Sequence, residues 1–415
     1  MKVNKRLPEP LLPSARRIFL GTILFGIIFV LQEIAFRVTF PLPEVLNFNR
    51  IAYSELAGEE STELRPLSNA SFTWASDPDG VEFVHRLNLY GFRDQDWQLE
   101  KQSTSDRMLF VGDSFVEGFM AEDNETIPAA FQTLAIDQGI DLEVMNLGIG
   151  ANDIRRYFEL IRDGVPLFRP DVLVLVIYAN DLPFPDYEPH WLEKPLVPEY
   201  ANPWTPRAFH VVKALFSSGT VARSWTSSPF PFVPAVPNPI NPWSNEKAAA
   251  TFREFVSPKI AEAMSLGRFN PFVVNEFDRY KEVALESSPV EPHLRALLAF
   301  TKQFSTRLLV AFIPKRVTIS DAYRVYESEF SSSDANESML GPEYQIHPSL
   351  LRDACSALEI PFADLTTILR EAENRGQRMY WNYDEHLNAS GYAMVAKELF
   401  RQWIQEFANQ GLADK

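Results

Sequence analysis

The chain has 415 residues, 46% of them hydrophobic and 13% aromatic, enough apolar material for a large buried core and far from the composition of a disordered protein. Lys+Arg total 39 against Asp+Glu 55, a formal net charge of -16, so the phosphate backbone of a nucleic acid is excluded as a natural partner. The single cysteine, Cys355, rules out an internal disulfide and a cysteine-ligated metal cluster, and 31 prolines against 17 glycines point to long non-helical stretches that are not flexible glycine linkers.

The amino terminus carries Lys2, Lys5, Arg6, Arg16 and Arg17, with Glu9 as its acid, and residues 18–36 then run apolar apart from a few polar positions such as Gln32 and Glu33. As a helix this run reaches about 28 Å, close to the hydrocarbon thickness of a bilayer. Its apolar residues lie all round the helix, unlike those of a helix with one buried stripe. The span therefore reads as an uncleaved membrane anchor; a cleaved signal would need a shorter apolar run and a small-x-small exit, and "RVTFPLPE" follows instead. "ARRIFL" also has the paired arginines of a twin-arginine export signal, although basic pairs flank most anchors. With the basic residues preceding the span, the expected topology is residues 1–17 in the cytoplasm, 18–36 in the membrane, and the remainder in the periplasm or at the cell surface.

Residues 37–106 form a lead-in segment in which "SFTWAS" and "VEFVHRLNLYGFRD" read as short strands and turns. An alternation of apolar runs and helical patterns follows. "RMLFVG", "LEVMNLG" and "DVLVLVIY" are strands, separated by helices over "ETIPAAFQTLAIDQG" and "DIRRYFELIRDG". Continuous apolar strands joined by helices predict a parallel sheet buried on both faces. The alternation stops after Asp181. Residues 182–287 read as a Pro/Trp-rich insertion, with four of the eight tryptophans between Trp191 and Trp243 and a helical pattern around "EKAAATFREFV". The pattern resumes with "PHLRALLAFTKQFS" as helix, "RLLVAFIP" as strand, "PSLLRDACSALEI" as helix, "PFADL" as a short strand and a last helix from Ala389. Residues 107–181 and 288–409 thus make one interrupted α/β domain.

The first strand runs into "VGDSFVEGF", which puts Ser114 on the turn at the carboxyl end of the sheet, where open α/β sheets hold their ligands. A serine hydroxyl needs a base to act as a nucleophile, so the histidines decide the matter. His85, His190 and His210 lie in the lead-in or the insertion, and His293 and His347 sit at helix starts. His386 stands in the polar loop "WNYDEHLNASGY" with Asp384 two residues before it. Alone, that pair is equally well a solvated loop acid and a helix-capping histidine. Two other strand ends add to it: "NLGIGAND", whose small residues let backbone N–H groups approach a ligand, and "YAND", which places the amide of Asn180 at the same edge, suited to a developing oxyanion.

Together, "GDSF", "NLGIGA", "YAND" and "DEH" resemble the four blocks, in order, of the SGNH hydrolases, also called the GDSL esterase/lipase family, and in particular its membrane-anchored bacterial members. The resemblance implies a flavodoxin-like three-layer sandwich with a parallel sheet of about five strands. It also implies Ser114 as nucleophile, His386 as base, Asp384 as orienting acid, and an oxyanion hole from the Ser114 N–H, the Ala151 N–H and the Asn180 side chain, with no cofactor and no metal. The chain departs from the family pattern at three points. Ala151 stands at the family's glycine, Tyr178 stands where a glycine is common and would narrow the acyl pocket, and the acid lies two residues before the histidine where three is commoner. The implied activity is hydrolysis of O-acyl esters, acetyl above all, and an anchored domain outside the cytoplasmic membrane with an aromatic-rich insertion suits O-acyl groups on a cell-surface or exported glycan. A polysaccharide O-acetyltransferase with the same three residues and a non-catalytic glycan-binding or assembly protein are the alternatives. Neither the acyl chain, the natural substrate nor the oligomeric state is written in the sequence.

Overall fold

The computed structural model describes residues 12–39, 71–88, 91–98, 101, 105–150, 153–182, 184, 206, 256–269, 290–329 and 340–408. A long helix, α1 (Leu12–Thr39), comes first. From Arg17 to Ala35 it is apolar and none of it is buried, and it is long enough to cross a membrane. A hairpin of β1 (Ser71–Ser76) and β2 (Val81–Arg86) follows, the two antiparallel strands paired from Ser71↔Arg86 to Ser76↔Val81.

The core is a five-stranded parallel sheet of β3 (Asp106–Gly112), β4 (Leu142–Gly148), β5 (Val172–Tyr178), β6 (Arg307–Ile313) and β7 (Phe362–Asp364), in the order β4-β3-β5-β6-β7. The register runs Met108↔Val144 and Met108↔Val172 across the centre, and Tyr178↔Ile313 at the carboxyl end. Every residue of β5 is buried, as expected of a central strand covered on both faces. The expected parallel sheet of about five strands is therefore present, and each of its strands lies on one of the five apolar runs of the sequence.

The helices that pack on the sheet fall into two groups by their contacts. In one, α3 (Ile127–Asp137) packs against α11 (Ala389–Trp403), and α10 (Thr366–Asn374) joins α11. In the other, α6 (Val290–Gln303) contacts both α4 (Ile154–Phe168) and α9 (Pro342–Ala357). Side-chain caps fix where the helices begin. Thr126 accepts from the Ala129 N–H, Asp153 from those of Arg155 and Arg156, and Asn388 from that of Gly391. Short turns of helix, α2 (Ser114–Glu117), α7 (Arg316–Ile319) and α8 (Arg324–Glu327), lie beyond the carboxyl ends of β3 and β6.

Two helices differ from expectation. The pattern suggests a start at Pro348, but α9 starts at Pro342, with Pro348 inside it, because Gly341 and Pro342 supply an earlier entry and Tyr344 and His347 are buried by it. α4 runs past Pro166 to Phe168, since Val165 and Phe168 are both fully buried. Most of the expected insertion, including the helical pattern of residues 246–256 up to residue 255, lies outside the described residues. The part that is described, with α5 (Pro258–Ser265) capped by Ser257, docks on the β1–β2 hairpin. There Arg268 bonds Asp77 at 2.5 Å and Glu82 at 2.8 Å.

Candidate active site

Ser114 opens α2, one turn of helix at the end of β3. Asp113 caps that turn, its Oδ1 accepting from the Phe115 N–H at 2.9 Å. The backbone N–H of Ser114 bonds nothing among the described residues, so it points a free donor out of the helix start. The close packing behind the turn explains one glycine of the second block: a Cβ on Gly148 would lie 2.1 Å from the Glu117 nitrogen and 2.5 Å from the Val116 carbonyl carbon. The Gly150 N–H donates to Glu117 Oε2 at 2.6 Å. Both glycines thus serve the seating of α2, where the sequence suggested backbone approach to a ligand. Ala151 lies outside the described residues.

His386 meets Ser114 across the site. Its Nε2 is 2.6 Å from Ser114 Oγ and its Nδ1 is 2.5 Å from Asp384 Oδ1. The acid and the histidine are buried and the serine half-buried, so the three side chains form one hydrogen-bonded chain with one end open to a ligand. Burial opposes a charged imidazole, but the charge and hydrogen bond of Asp384, with Glu385 and Asp113 behind it, outweigh burial and raise His386 above its ordinary pKa of 6.5. Phe115 and Phe119 flank the imidazole with centroids 4.8 and 4.9 Å away.

Asn180 stands on the 3-10 turn Ala179–Asp181 at the end of β5, next to β3, so it shares the sheet edge with Ser114. This is the point where the strand order reverses, since β4 lies on one side of β3 and β5 on the other. The turn is tied on several sides. Asp181 accepts from the Tyr178 N–H at 2.9 Å and from the Tyr157 hydroxyl at 2.8 Å, and Tyr344 donates to the Ala179 carbonyl at 2.5 Å. Burial, then the nearby charge of Asp113, pushes the Asp181 carboxyl well above the usual range; Asp113 itself is raised to about 7, again mainly by burial.

Several residues hold this geometry in ways the sequence does not indicate, including Tyr178, which was expected only to narrow an acyl pocket. Tyr178 is fully buried, its ring 4.0 Å from that of Phe115 and its hydroxyl donating to Glu385 at 2.9 Å. It braces the loop that carries Asp384 and His386. Lys315, buried at the end of β6, forms an ion pair with the same Glu385. Arg316, also buried, donates to the Trp381 and Asp384 carbonyls at 2.6 and 2.7 Å and is held by Glu327 at 2.8 Å. From the lead-in, Arg93 donates to the Gly118 and Ala121 carbonyls just after α2. His85 sits in the core 3.5 Å from Glu117, and burial holds it well below its ordinary pKa. Arg93 belongs to "VEFVHRLNLYGFRD", which from sequence reads only as strands and turns. The Lys315 and Arg316 contacts join residues at least 65 apart in sequence, which no local pattern encodes, the Arg316–Glu327 pair alone being local. His293 and His347 are buried far along the chain from this loop, and no cluster of three or more His, Cys, Asp or Glu fit to hold a metal occurs among the described residues.

No family model and no curated protein sequence matches the chain. Solved structures that resemble it include a lipase/acylhydrolase from Enterococcus faecalis, with 10% identity and a TM-score of 0.34 over 72% of this chain and 95% of that one. The psychrotrophic esterase EstA from Pseudoalteromonas sp. has 9% identity and a TM-score of 0.35 over 74% of this chain and 100% of its own. A catalytic mutant of an acetylxylan esterase from Geobacillus stearothermophilus has 12% identity and a TM-score of 0.35 over 73% and 96%.

Proposed function

We propose that the protein is a serine esterase that removes small acyl groups, acetyl above all, from hydroxyl-bearing substrates, and that Ser114, His386 and Asp384 carry the reaction. The observation that supports this reading is the continuous chain from Ser114 Oγ through both imidazole nitrogens to a buried carboxylate, at 2.6 and 2.5 Å.

Asp384 holds the Nδ1 proton, which leaves the Nε2 lone pair facing the serine. Nε2 takes the proton from Oγ as Oγ bonds to the ester carbonyl carbon. The carbonyl oxygen becomes an oxyanion, met by the Ser114 N–H and the Asn180 side chain. As the tetrahedral centre collapses, the C–O bond to the alcohol breaks and Nε2–H gives its proton to that oxygen. Water then repeats the sequence on the acyl-serine: it loses a proton to Nε2 as it attacks, and Oγ leaves with that proton restored. The acid is released and the enzyme regenerated.

Turnover of an aryl acetate, with free acetate as product, tests the reading. Wild-type protein is expected to release acetate and Ser114→Ala is not; equal activity in the two excludes it. A run of aryl esters from acetyl to octanoyl tests the preference for a small acyl group, and acetylated oligosaccharides test a glycan as the acceptor's parent.

Helix α1 serves in this reading as an uncleaved anchor with the amino terminus in the cytoplasm. The support is its apolar stretch from Arg17 to Ala35, none of it buried, preceded by basic residues. Resistance to alkaline extraction together with an intact amino terminus is the expected result; a mature chain beginning after residue 36 would mean a cleaved signal.

A further inference from the structure

The lead-in hairpin reaches into the loop that carries the acid and the base. Its four-residue turn, Asp77 to Gly80, closes with the Asp79 N–H on the Ser76 carbonyl at 3.1 Å, and Gly80 supplies the positive φ of 71° that the return to β2 requires. This turn presents the Asp79 carboxylate to three successive backbone N–H groups. Oδ1 accepts from Asn382 at 2.9 Å and from Tyr383 at 3.0 Å, and Oδ2 accepts from Asp384 at 3.1 Å. The Ser76 hydroxyl donates to Oδ2 at 2.8 Å and fixes the rotamer.

Three consecutive N–H groups converge on one anion only when the chain is curled into a concave nest, and the nest has a partial positive charge that favours a carboxylate at its centre. The carbonyls of the same loop turn the other way, to the Arg316 guanidinium, at Trp381 and Asp384. The loop is therefore held between an anion on its N–H side and a cation on its carbonyl side. The arrangement ends on the backbone of Asp384, whose side chain orients His386.

We propose that Asp79 is a positioning residue for the Asp384–His386 pair, so that the β1–β2 hairpin carries one side chain that acts on the catalytic loop and is more than a spacer between an anchor and a catalytic domain. The inference rests on the esterase reading given above. Arg93, from the same lead-in, holds the carbonyls of Gly118 and Ala121 behind Ser114. One segment thus braces the nucleophile's side of the site and the base's side, and it does so with the two side chains that must meet at 2.6 Å between them.

The test uses the full-length chain in detergent, with aryl acetate kinetics, fluorophosphonate labelling of Ser114 and hydrogen exchange at residues 382–384. Active sites are counted by the labelling end point, so that kcat refers to folded enzyme. Asp79→Ala is expected to lower kcat per site and the labelling rate on the order of 100-fold, with KM changed little, since a displacement of about 1 Å costs about that much. Asp79→Asn keeps one acceptor oxygen and should fall between wild type and alanine; being isosteric, it also serves if the alanine form does not fold. Asp77→Asn, on the same turn but paired with Arg268 outside the loop, should behave as wild type. Exchange at 382–384 should quicken in Asp79→Ala and stay slow in Asp77→Asn. Wild-type kcat per site in Asp79→Ala overturns the inference and leaves the esterase reading standing. Wild-type protein that neither labels nor turns over overturns the esterase reading, and the catalytic role of Asp79 with it.

Discussion

Asp384 Oδ1 accepts two hydrogen bonds from His386, one from the ring Nδ1 at 2.5 Å and one from the backbone N–H at 2.9 Å. The two-residue spacing makes this possible: the acid reaches both groups of the histidine without any other element, and the neutral ring carries its proton on the Asp384 side. An asparagine at 384 would present an oxygen or an amide to Nδ1 with no charge to stabilise the imidazolium. Asp384→Asn should therefore lower kcat by about 1,000- to 10,000-fold, measured with an aryl acetate at neutral pH, with the fold retained.

The pH dependence follows from the same pair. His386 must be neutral to accept the Ser114 proton, so kcat/KM should fall as pH drops, with an acid-limb midpoint above 6.5. Stability runs the other way. A folded-state pKa raised above the unfolded one means that the folded protein holds this proton more tightly. The His386 contribution is complete below pH 6.5 and is lost as pH rises through the folded value. Chemical denaturation of wild type and His386→Gln across this range should show the difference shrinking with rising pH, in the window where activity appears.

Gly148 has no room for a methyl group, and what it would strike is the backbone of α2. Gly148→Ala should push the Ser114 turn away from β4, costing about 3 kcal/mol of stability, at the upper end of overpacking effects, and fluorophosphonate labelling should be lost with it. Labelling at the wild-type rate would mean that α2 is not seated as described.

Arg316 and Glu327 are a fully buried ion pair at 2.8 Å. Glu327→Gln leaves a buried guanidinium without its charge partner and should destabilise by about 3–5 kcal/mol. Replacing both by methionine should recover much of that stability while leaving the Trp381 and Asp384 carbonyls without their donor. The double variant is thus expected to have a higher Tm than Glu327→Gln and a kcat well below wild type.

Strand positions and the sheet edge of the candidate site were legible because the strands are continuous apolar runs, and those from Arg107 to Pro314 have no competing periodicity. α10 was not assigned from sequence: Thr366–Asn374 buries only Leu369 and Ala372, too few apolar positions to mark a helix. Ser114, Asn180, Asp384 and His386 could be singled out as candidates because each follows a strand end or sits in a compact polar loop. Asp79 was not, because "DPDG" encodes a hairpin turn and nothing in it tells that the carboxylate faces a backbone 305 residues away. Lys315 and Arg316 carry no local signal of their role: the acids that pair with them in the interior, Glu385 and Glu327, are brought there by the fold. The Pro/Trp-rich stretch falls mostly outside the described residues.

The central claim is that Ser114 becomes acylated. Rapid acid quench of full-length protein during turnover of an aryl acetate, followed by peptide mass spectrometry, measures this directly. The account predicts one acetyl group on the peptide containing Ser114, transient in wild type and absent in Ser114→Ala. Turnover with no acetyl group on Ser114, or with the group on another residue, would contradict it.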